Sequence, residues 1–160
     1  MNQILLYRKI LFIIIGCTTF LSAIVHKPKN NGEKIKLEIR GKERIYHELG
    51  QGLIYKNIGK KFNANDSIKI CIHTRTIKAP TGKKNRNYGF KVQINDRDPF
   101  DLKYKKGGSG VKSPDRPGWD YTQSGKWFIY LPVKEKKYSI KIEPLKGNPV
   151  VYVRLTSNLI

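Results

Sequence analysis

The sequence predicts an all-β fold: a single antiparallel β-sandwich or jelly-roll-like domain preceded by an N-terminal apolar segment. Apolar residues alternate with a period of two in seven short segments, which is the pattern of strands that have one buried and one solvated face. Turn-forming sequences such as NDRDP and KGNP separate these segments. No stretch holds apolar residues three and four positions apart for long enough to make a helix.

The seven alternating segments follow one another along most of the chain. Their number and even spacing, over roughly 130 residues, are typical of a sandwich with about seven to nine strands. In chain order the segments are Ile35-Leu37-Ile39, Ile68-Ile70-Ile72, Phe90-Val92-Ile94, Phe100-Leu102-Tyr104, Trp127-Ile129-Leu131-Val133, Tyr138-Ile140-Ile142 and Val151-Val153-Leu155.

The N-terminus has the layout of an export signal. Arg8 and Lys9 precede a charge-free apolar run over residues 10–25, after which the composition turns polar. Because this run is slightly shorter than the roughly 20 residues of a comfortable membrane span, we predict that residues 1–25 are either a signal peptide or a membrane anchor. The protein is then periplasmic, displayed on the cell surface, secreted or anchored to a membrane.

Two forms of processing fit this segment. Cleavage after Leu21-Ser22-Ala23 would release the protein, whereas a lipobox ending at Cys17 would make it a lipoprotein held at a membrane surface. In both cases we expect residues 26–34 (HKPKNNGEK) to form a flexible tether and residues 35–160 to form one β-sandwich domain.

The charge balance points to anionic partners. The chain has 32 Lys and Arg against 12 Asp and Glu, a net charge of +20, and such a surface attracts polyanions over a Debye length. A cytosolic chain with this charge would suggest nucleic acid, but for an exported one we expect an anionic glycan, a lipid head group or an acidic envelope protein instead. The plain alternative is a Lys-rich surface that is only solvated.

Catalytic patterns are missing from the sequence. There is no G-x-S-x-G elbow for a serine nucleophile. His73 falls on the Lys69-Cys71-Arg75 face of its strand, opposite the isoleucines, where a solvated histidine is more common than a general base. Cys71 itself is interpreted as a small buried hydrophobe. We therefore expect no catalytic residues, no cofactor and a binding protein rather than an enzyme.

One acidic cluster raises the question of a metal. Asp96, Asp98 and Asp101 group oxygen ligands in a loop, as calcium sites in β-sandwiches require. However, Arg97 places a positive charge inside the cluster, and NDRDP is ordinary turn chemistry. We interpret the cluster as a turn and expect no metal.

The candidate ligand site lies in SPDRPGWDYTQSGKWFIYLP, at the end of an irregular stretch from Lys105 to Gly125. Sugar sites use exposed aromatic faces with acids, amides and Arg nearby. After Gly125 the period of two assigns Trp127, with Ile129 and Leu131, to the buried face, and this removes it from the site. The candidate residues are therefore Trp119, Tyr121, Arg116, Asp120, Lys112 and Lys126.

Together these patterns predict an exported, strongly basic cell-envelope protein that binds an anionic or carbohydrate ligand without catalysis. Lys and Arg would capture the ligand, and the Trp119 loop would contact it. The alternative is a structural or assembly subunit of an envelope complex. It would dock an acidic partner and pair exposed strand edges such as VVYVRLTSN with another chain.

Overall fold

The computed structural model describes residues 23–30, 32–63, 65–78, 85–133 and 137–160. Within these residues no helix is long and apolar enough to cross a membrane. Residues 1–22, which hold most of the expected export segment and Cys17, lie outside the described part of the chain. Export, cleavage and lipidation therefore stay predictions.

The described chain consists of eleven antiparallel β-strands, which confirms the prediction of an all-β antiparallel fold. The strands are β1 (Ile24–His26), β2 (Lys34–Ile39), β3 (Lys42–Glu48), β4 (Leu53–Ile58), β5 (Ser67–Thr76), β6 (Asn85–Ile94), β7 (Phe100–Lys112), β8 (Asp120–Thr122), β9 (Gly125–Pro132), β10 (Tyr138–Pro144) and β11 (Val151–Leu159).

The strands hydrogen-bond in the order β4-β10-β6-β7-β2-β3-β11-β5-β9, with β1 on β11 and β8 on β7. The long β7 joins the two halves, because its first part pairs with β6 and its last part with β2 and β8. The main core combines side chains from both ends of this order, including Phe90 and Ile140 with Ile70 and Leu131. The core thus lies between two layers, as it does in a β-sandwich.

A second, smaller hydrophobic cluster lies on the other face of the sheet. It contains Ile35, Leu37, Tyr46, Tyr121 and Tyr152. Strand alternation explains the division, since Val153 of β11 belongs to the main core whereas its neighbour Tyr152 belongs to the second cluster. Side chains of β7 and β8 pack onto this face, so the middle of the sheet is covered on both sides.

Residues 26–34 differ from the flexible tether that the sequence predicts. His26 belongs to β1, which pairs with β11. The Lys29 N–H donates to the Ile54 carbonyl at 2.7 Å, and the Asn30 Oδ1 accepts from the Ile54 N–H at 2.8 Å. These hydrogen bonds fix the segment against β4, so the folded domain begins before the predicted boundary at residue 35.

The irregular stretch expected from Lys105 to Gly125 is also shorter than predicted. β7 continues to Lys112 and β8 begins at Asp120, so only residues 113–119 connect them. Gly110, at φ +66°, lies where the β7–β8 register shifts, and a residue without Cβ adopts this conformation readily. The glycine-rich KKGGSG sequence therefore forms an irregular strand instead of a loop.

The prediction that VVYVRLTSN forms an exposed strand edge is wrong. β11 lies inside the sheet and pairs with β3, β5 and β1. The two ends of the described strand order are β4 and β9 instead. β9 pairs with β5 along its length, and its other side faces no described strand.

Candidate functional site

The six predicted ligand residues divide between two places. Arg116 and Trp119 lie in the 113–119 loop, with Lys112, Asp120 and Tyr121 on the strands that flank it. Lys126 lies on β9, directly across from His73 on β5. The predicted group is therefore not one site.

In the loop, Trp119 is 42% exposed, as a ligand platform would need to be. However, the Arg116 guanidinium carbon lies 5.0 Å from the Trp119 ring centroid and covers part of that ring. Arg116 also pairs with Glu33, approaches Glu48 at 3.7 Å and donates to the Tyr152 hydroxyl at 2.7 Å. The hydrogen bond to Glu33 raises the pKa of Arg116. The charge of Arg116 is thus already neutralised within the protein.

Tyr121 cannot serve as a ligand platform, which corrects the sequence prediction. Its side chain is fully buried in the second cluster, where its ring meets Tyr152 edge-on at 5.5 Å. Its neighbour Asp120 forms an ion pair with Lys112, at 2.6 Å between Oδ1 and Nζ. The hydrogen bond from Lys112 lowers the pKa of Asp120. This pair lies at the surface and ties β8 to β7.

The basic cleft is a cavity of about 460 Å³ on the same face of the sheet as the second cluster. Among the described residues that line it there is no Asp or Glu. Its lining residues are Ile39, Arg40, Arg44, Tyr46, His73, Arg75, Ser109, Gln123, Ser124 and Lys126. Cations without acids give the cleft a positive potential.

Strand register brings these distant residues together. Arg40 and Gly41 form the two-residue turn between β2 and β3, closed by the Ile39–Lys42 pair. Both turn residues have positive φ, 53° and 69°, as a type I′ turn requires. Arg is unusual at the first of these positions, where Asn, Asp or Gly is preferred. The turn holds the Arg40 side chain at the edge of the cleft.

Arg75 is the most unusual member of the cleft. It is only 6% exposed, and its Nη1 donates to the Thr122 carbonyl and, at 3.1 Å, to the Ser109 hydroxyl. Its buried Nε has no hydrogen-bond partner in the described part of the chain, and no described carboxylate pairs with it. A buried charge without a counterion is costly. An anion in the cleft would supply the missing counterion.

The cleft also changes the titration of His73. Burial, followed by the positive charges of Arg154, Lys126 and Arg44, lowers the pKa of His73 to about 4. His73 is therefore neutral at pH 7, with its Nε2 3.3 Å from the Thr156 hydroxyl. Its low pKa reflects how unfavourable one more positive charge is in this cleft.

The aromatic strip, defined as Phe128 and Tyr130 on β9, was missed by the sequence analysis. The two rings are 43% and 59% exposed, and Lys69 Nζ lies 4.3 Å and 5.7 Å from their centroids. Cys71 of β5, a buried thiol, lies directly across from Phe128. The signal was present in the sequence, because the alternation that buries Ile129 and Leu131 turns Phe128 and Tyr130 outward.

Trp127 is more exposed than the sequence predicts. It was assigned to the buried face with Ile129 and Leu131, yet it is 39% exposed, whereas those two side chains are buried. Its ring contacts Phe100 with centroids 6.1 Å apart. Phe100, at the start of β7, therefore covers only part of the Trp127 side chain.

The acidic cluster of the NDRDP turn forms no metal site among the described residues, where no group of three or more His, Cys, Asp or Glu is suitably placed. Instead, Asn95 in this turn, at φ 50°, accepts from the Ser139 N–H through its Oδ1 at 2.8 Å. Asp96 and Asp98 thus lie in a turn, and Asp101 lies at the start of β7. The hydrogen bond observed in this turn is a structural one.

No protein-family model matches this sequence, and no curated protein matches it. The solved structures that resemble the fold distantly include the following three. One is BtGH115A, a family GH115 4-O-methyl-α-glucuronidase with specificity for decorated arabinogalactans (TM-score 0.46, 15% identity), where the match covers 87% of this chain but 18% of that one. The others are a CBM35 from Cellvibrio japonicus Abf62 (0.42, 12%) and Xyl-CBM35 in complex with a glucuronic acid containing disaccharide (0.39, 10%). Each match covers 86% of this chain and 93% of the other. These likenesses are too distant to assign a function.

Proposed function

We propose that this protein binds an anionic carbohydrate without catalysis and that the basic cleft holds the acidic group. The observation that carries the proposal is Arg75, a buried guanidinium that lines the cleft and has no carboxylate partner among the described residues. The sequence hypothesis of an anionic or carbohydrate ligand is kept, but its site moves from the Trp119 loop to the cleft.

The chemistry of the cleft suits an oxyanion. Guanidinium groups bind carboxylate or sulfate through two parallel N–H donors, and Arg44 and Arg40 supply such groups beside Arg75. Lys126 adds a mobile positive charge, and the Ser109, Gln123 and Ser124 side chains offer hydrogen bonds for hydroxyls. Few lining groups are apolar, so a polar ligand such as a sugar acid fits better than a lipid chain.

The test is calorimetric titration of the protein with galacturonate, with galactose as the neutral counterpart. We expect binding of galacturonate that weakens steeply between low and high salt, and no binding of galactose, because the acidic group contributes most of the affinity. The double substitution R44Q/K126Q should weaken galacturonate binding by at least tenfold, which corresponds to about 1.4 kcal/mol. Salt-independent binding would contradict the proposal.

A matched control removes the same charge elsewhere. Lys56 and Lys103 are exposed and do not line the cleft. The double substitution K56Q/K103Q should leave galacturonate binding within twofold. If both double variants lose binding equally, the net charge of the protein is responsible and the cleft is not a site.

Export belongs to the same proposal. The basic run and apolar segment of residues 8–25 support it, and an exported protein meets acidic glycans in the cell envelope. Mass spectrometry of the N-terminus in fractionated cells distinguishes the forms. A start at residue 24 indicates cleavage, an acylated Cys17 indicates a lipoprotein, and an intact Met1 in the membrane fraction indicates an anchor.

A second candidate function, assembly with an acidic envelope protein, is favoured by one observation. β9 ends the described strand order with Trp127, Phe128 and Tyr130 exposed, and such an edge can pair with a strand of another chain. A stoichiometric complex that survives competition by galacturonate and is lost on placing Pro at Phe128 would support this candidate.

A further inference from the structure

The aromatic strip lies on the same face of the sheet as the basic cleft. Lys126, which lines the cleft, Phe128 and Tyr130 alternate along β9 and so point to one side. Their partners on β5 confirm this arrangement, because Lys126 is opposite His73 and Phe128 is opposite Cys71. Lys69, opposite Tyr130, lies over both aromatic rings. The strip therefore continues the floor of the cleft.

The exposure of these two rings needs a reason. The inward residues Ile129 and Leu131 of β9 are buried, and a soluble sheet normally places polar residues on the outward positions. Adjacent large aromatics left in water form an apolar patch of the kind that marks an interaction site. This patch has a cation beside it and a cleft rich in cations next to it, so its occupant carries negative charge as well as an apolar face.

The dimensions of this surface exceed one sugar ring. An antiparallel strand rises by about 3.4 Å per residue, so the Cα atoms of Lys126 and Tyr130 lie about 14 Å apart. A single acidic sugar bound in the cleft would leave the strip uncovered. A chain of sugars would cover both, with the apolar face of one ring against Phe128 or Tyr130.

We propose that Phe128 and Tyr130 form a second subsite, which stacks a sugar ring next to the acidic unit in the cleft, so that the ligand is an acidic oligosaccharide or polysaccharide. This inference rests on the proposed function of the cleft. It adds the length of the ligand and names the residues that would contact its second sugar. Lys69 contributes a positive charge at the strip, which favours a second acidic unit there over a neutral one.

The experiment compares galacturonate with tetragalacturonate. The wild-type protein should bind the tetramer at least tenfold more tightly than the monomer. The double substitution F128A/Y130A should remove this advantage and leave monomer binding within twofold. An unchanged affinity for the tetramer would overturn the second subsite, and so would an equal loss for both ligands, since that indicates a disturbed cleft.

Two further variants distinguish ring stacking from general loss of apolar surface. Y130F keeps the ring and should retain at least a third of the tetramer affinity. I45A removes a side chain of similar exposure (46%) on β3, outside the cleft and the strip, and should change nothing. If I45A weakens the tetramer as much as F128A/Y130A does, the strip is not a subsite.

The same titrations separate failure of this inference from failure of the cleft. If R44Q/K126Q leaves monomer and tetramer binding intact, the cleft proposal fails, and with it the second subsite. If R44Q/K126Q weakens both ligands but F128A/Y130A weakens neither, the cleft stands and the second subsite is wrong. Sedimentation at the same protein concentrations tests whether a second copy of the chain occupies the strip instead. Self-association that F128A/Y130A abolishes would assign the strip to that second copy and overturn the inference.

Discussion

Arg116 and Arg75 differ in the groups that surround their charges. Arg116, in the loop that the sequence favoured, contacts Glu33, Glu48 and the Tyr152 hydroxyl. Arg75, in the basic cleft, contacts only a carbonyl and a hydroxyl among the described residues. The chain has 32 basic and 12 acidic residues, and among the described Lys and Arg residues only Arg75 is buried. Burial without a counterion is therefore the feature that separates Arg75 from Arg116.

The largest expected effect is on stability and concerns Tyr121 of β8, next to the 113–119 loop. Tyr121→Ala should lower the free energy of unfolding by about 3–5 kcal/mol, because it empties a fully buried aromatic position in the second cluster. Denaturant unfolding measures this, with Tyr121→Phe as the control that keeps the ring. A Tyr121→Ala protein of wild-type stability that fails to bind galacturonate would restore Tyr121 as a ligand residue.

The next effect compares Arg44, which lines the cleft, with Arg116 in the 113–119 loop. Arg44→Gln should weaken galacturonate binding by about tenfold, or about 1.4 kcal/mol, because it removes a cleft cation that has no acidic partner to satisfy. Arg116→Gln should leave binding within twofold, because its charge is already paired. Calorimetry of both variants decides, and the reverse result would return the site to the Trp119 loop.

A smaller effect concerns pH. The folded pKa of His73, about 4, lies below its ordinary value of 6.5, so the unfolded chain binds a proton that the folded one does not. Stability should fall as the pH drops from 6.5 to 4, by about 1 kcal/mol after solvent screening. His73→Gln should flatten this part of the profile. His26 and His47, whose pKa values burial also lowers, remain in the variant and supply the background slope.

The smallest effect separates stability from binding at the turn. Arg40→Asn should raise the free energy of unfolding by about 0.5–1 kcal/mol, because Asn-Gly suits a type I′ turn with positive φ. The same change should weaken galacturonate binding a few-fold through loss of a cleft cation. Thermal unfolding and calorimetry measure the two effects, and a more stable variant with unchanged binding would remove Arg40 from the site.

The sequence predicted the strands better than the site. Apart from Val133, which directly follows β9, the residues of all seven alternating segments lie in strands, because burial of one sheet face imposes a period of two. β3 and β4 escaped notice because their apolar residues do not alternate: exposed Ile45 adjoins buried Tyr46, and Leu53, Ile54 and Tyr55 are consecutive. The two three-residue strands, β1 and β8, are too short to show a period.

The cleft could not have been found in the same way. Arg40 and Arg44 lie on one hairpin, Arg75 and Lys126 lie in two other parts of the chain, and only the strand order β2-β3-β11-β5-β9 brings the four residues to one face. Nor does the sequence reveal that Glu33 and Glu48 neutralise Arg116, since both acids lie far from Arg116 in the chain. The exposed Phe128 and Tyr130, in contrast, follow from the alternation itself.

The reactivity of the Cys71 thiol, which lies across from Phe128, can report how often the outer strand β9 opens. Cys71 is buried, and its burial raises the pKa of the thiol, so a thiol reagent reacts slowly while β9 stays paired. The labelling rate of Cys71, read from its own peptide by mass spectrometry, then counts how often β9 separates from β5. A ligand lying along Phe128 and Tyr130 would slow that opening and lengthen the lifetime of the unlabelled thiol.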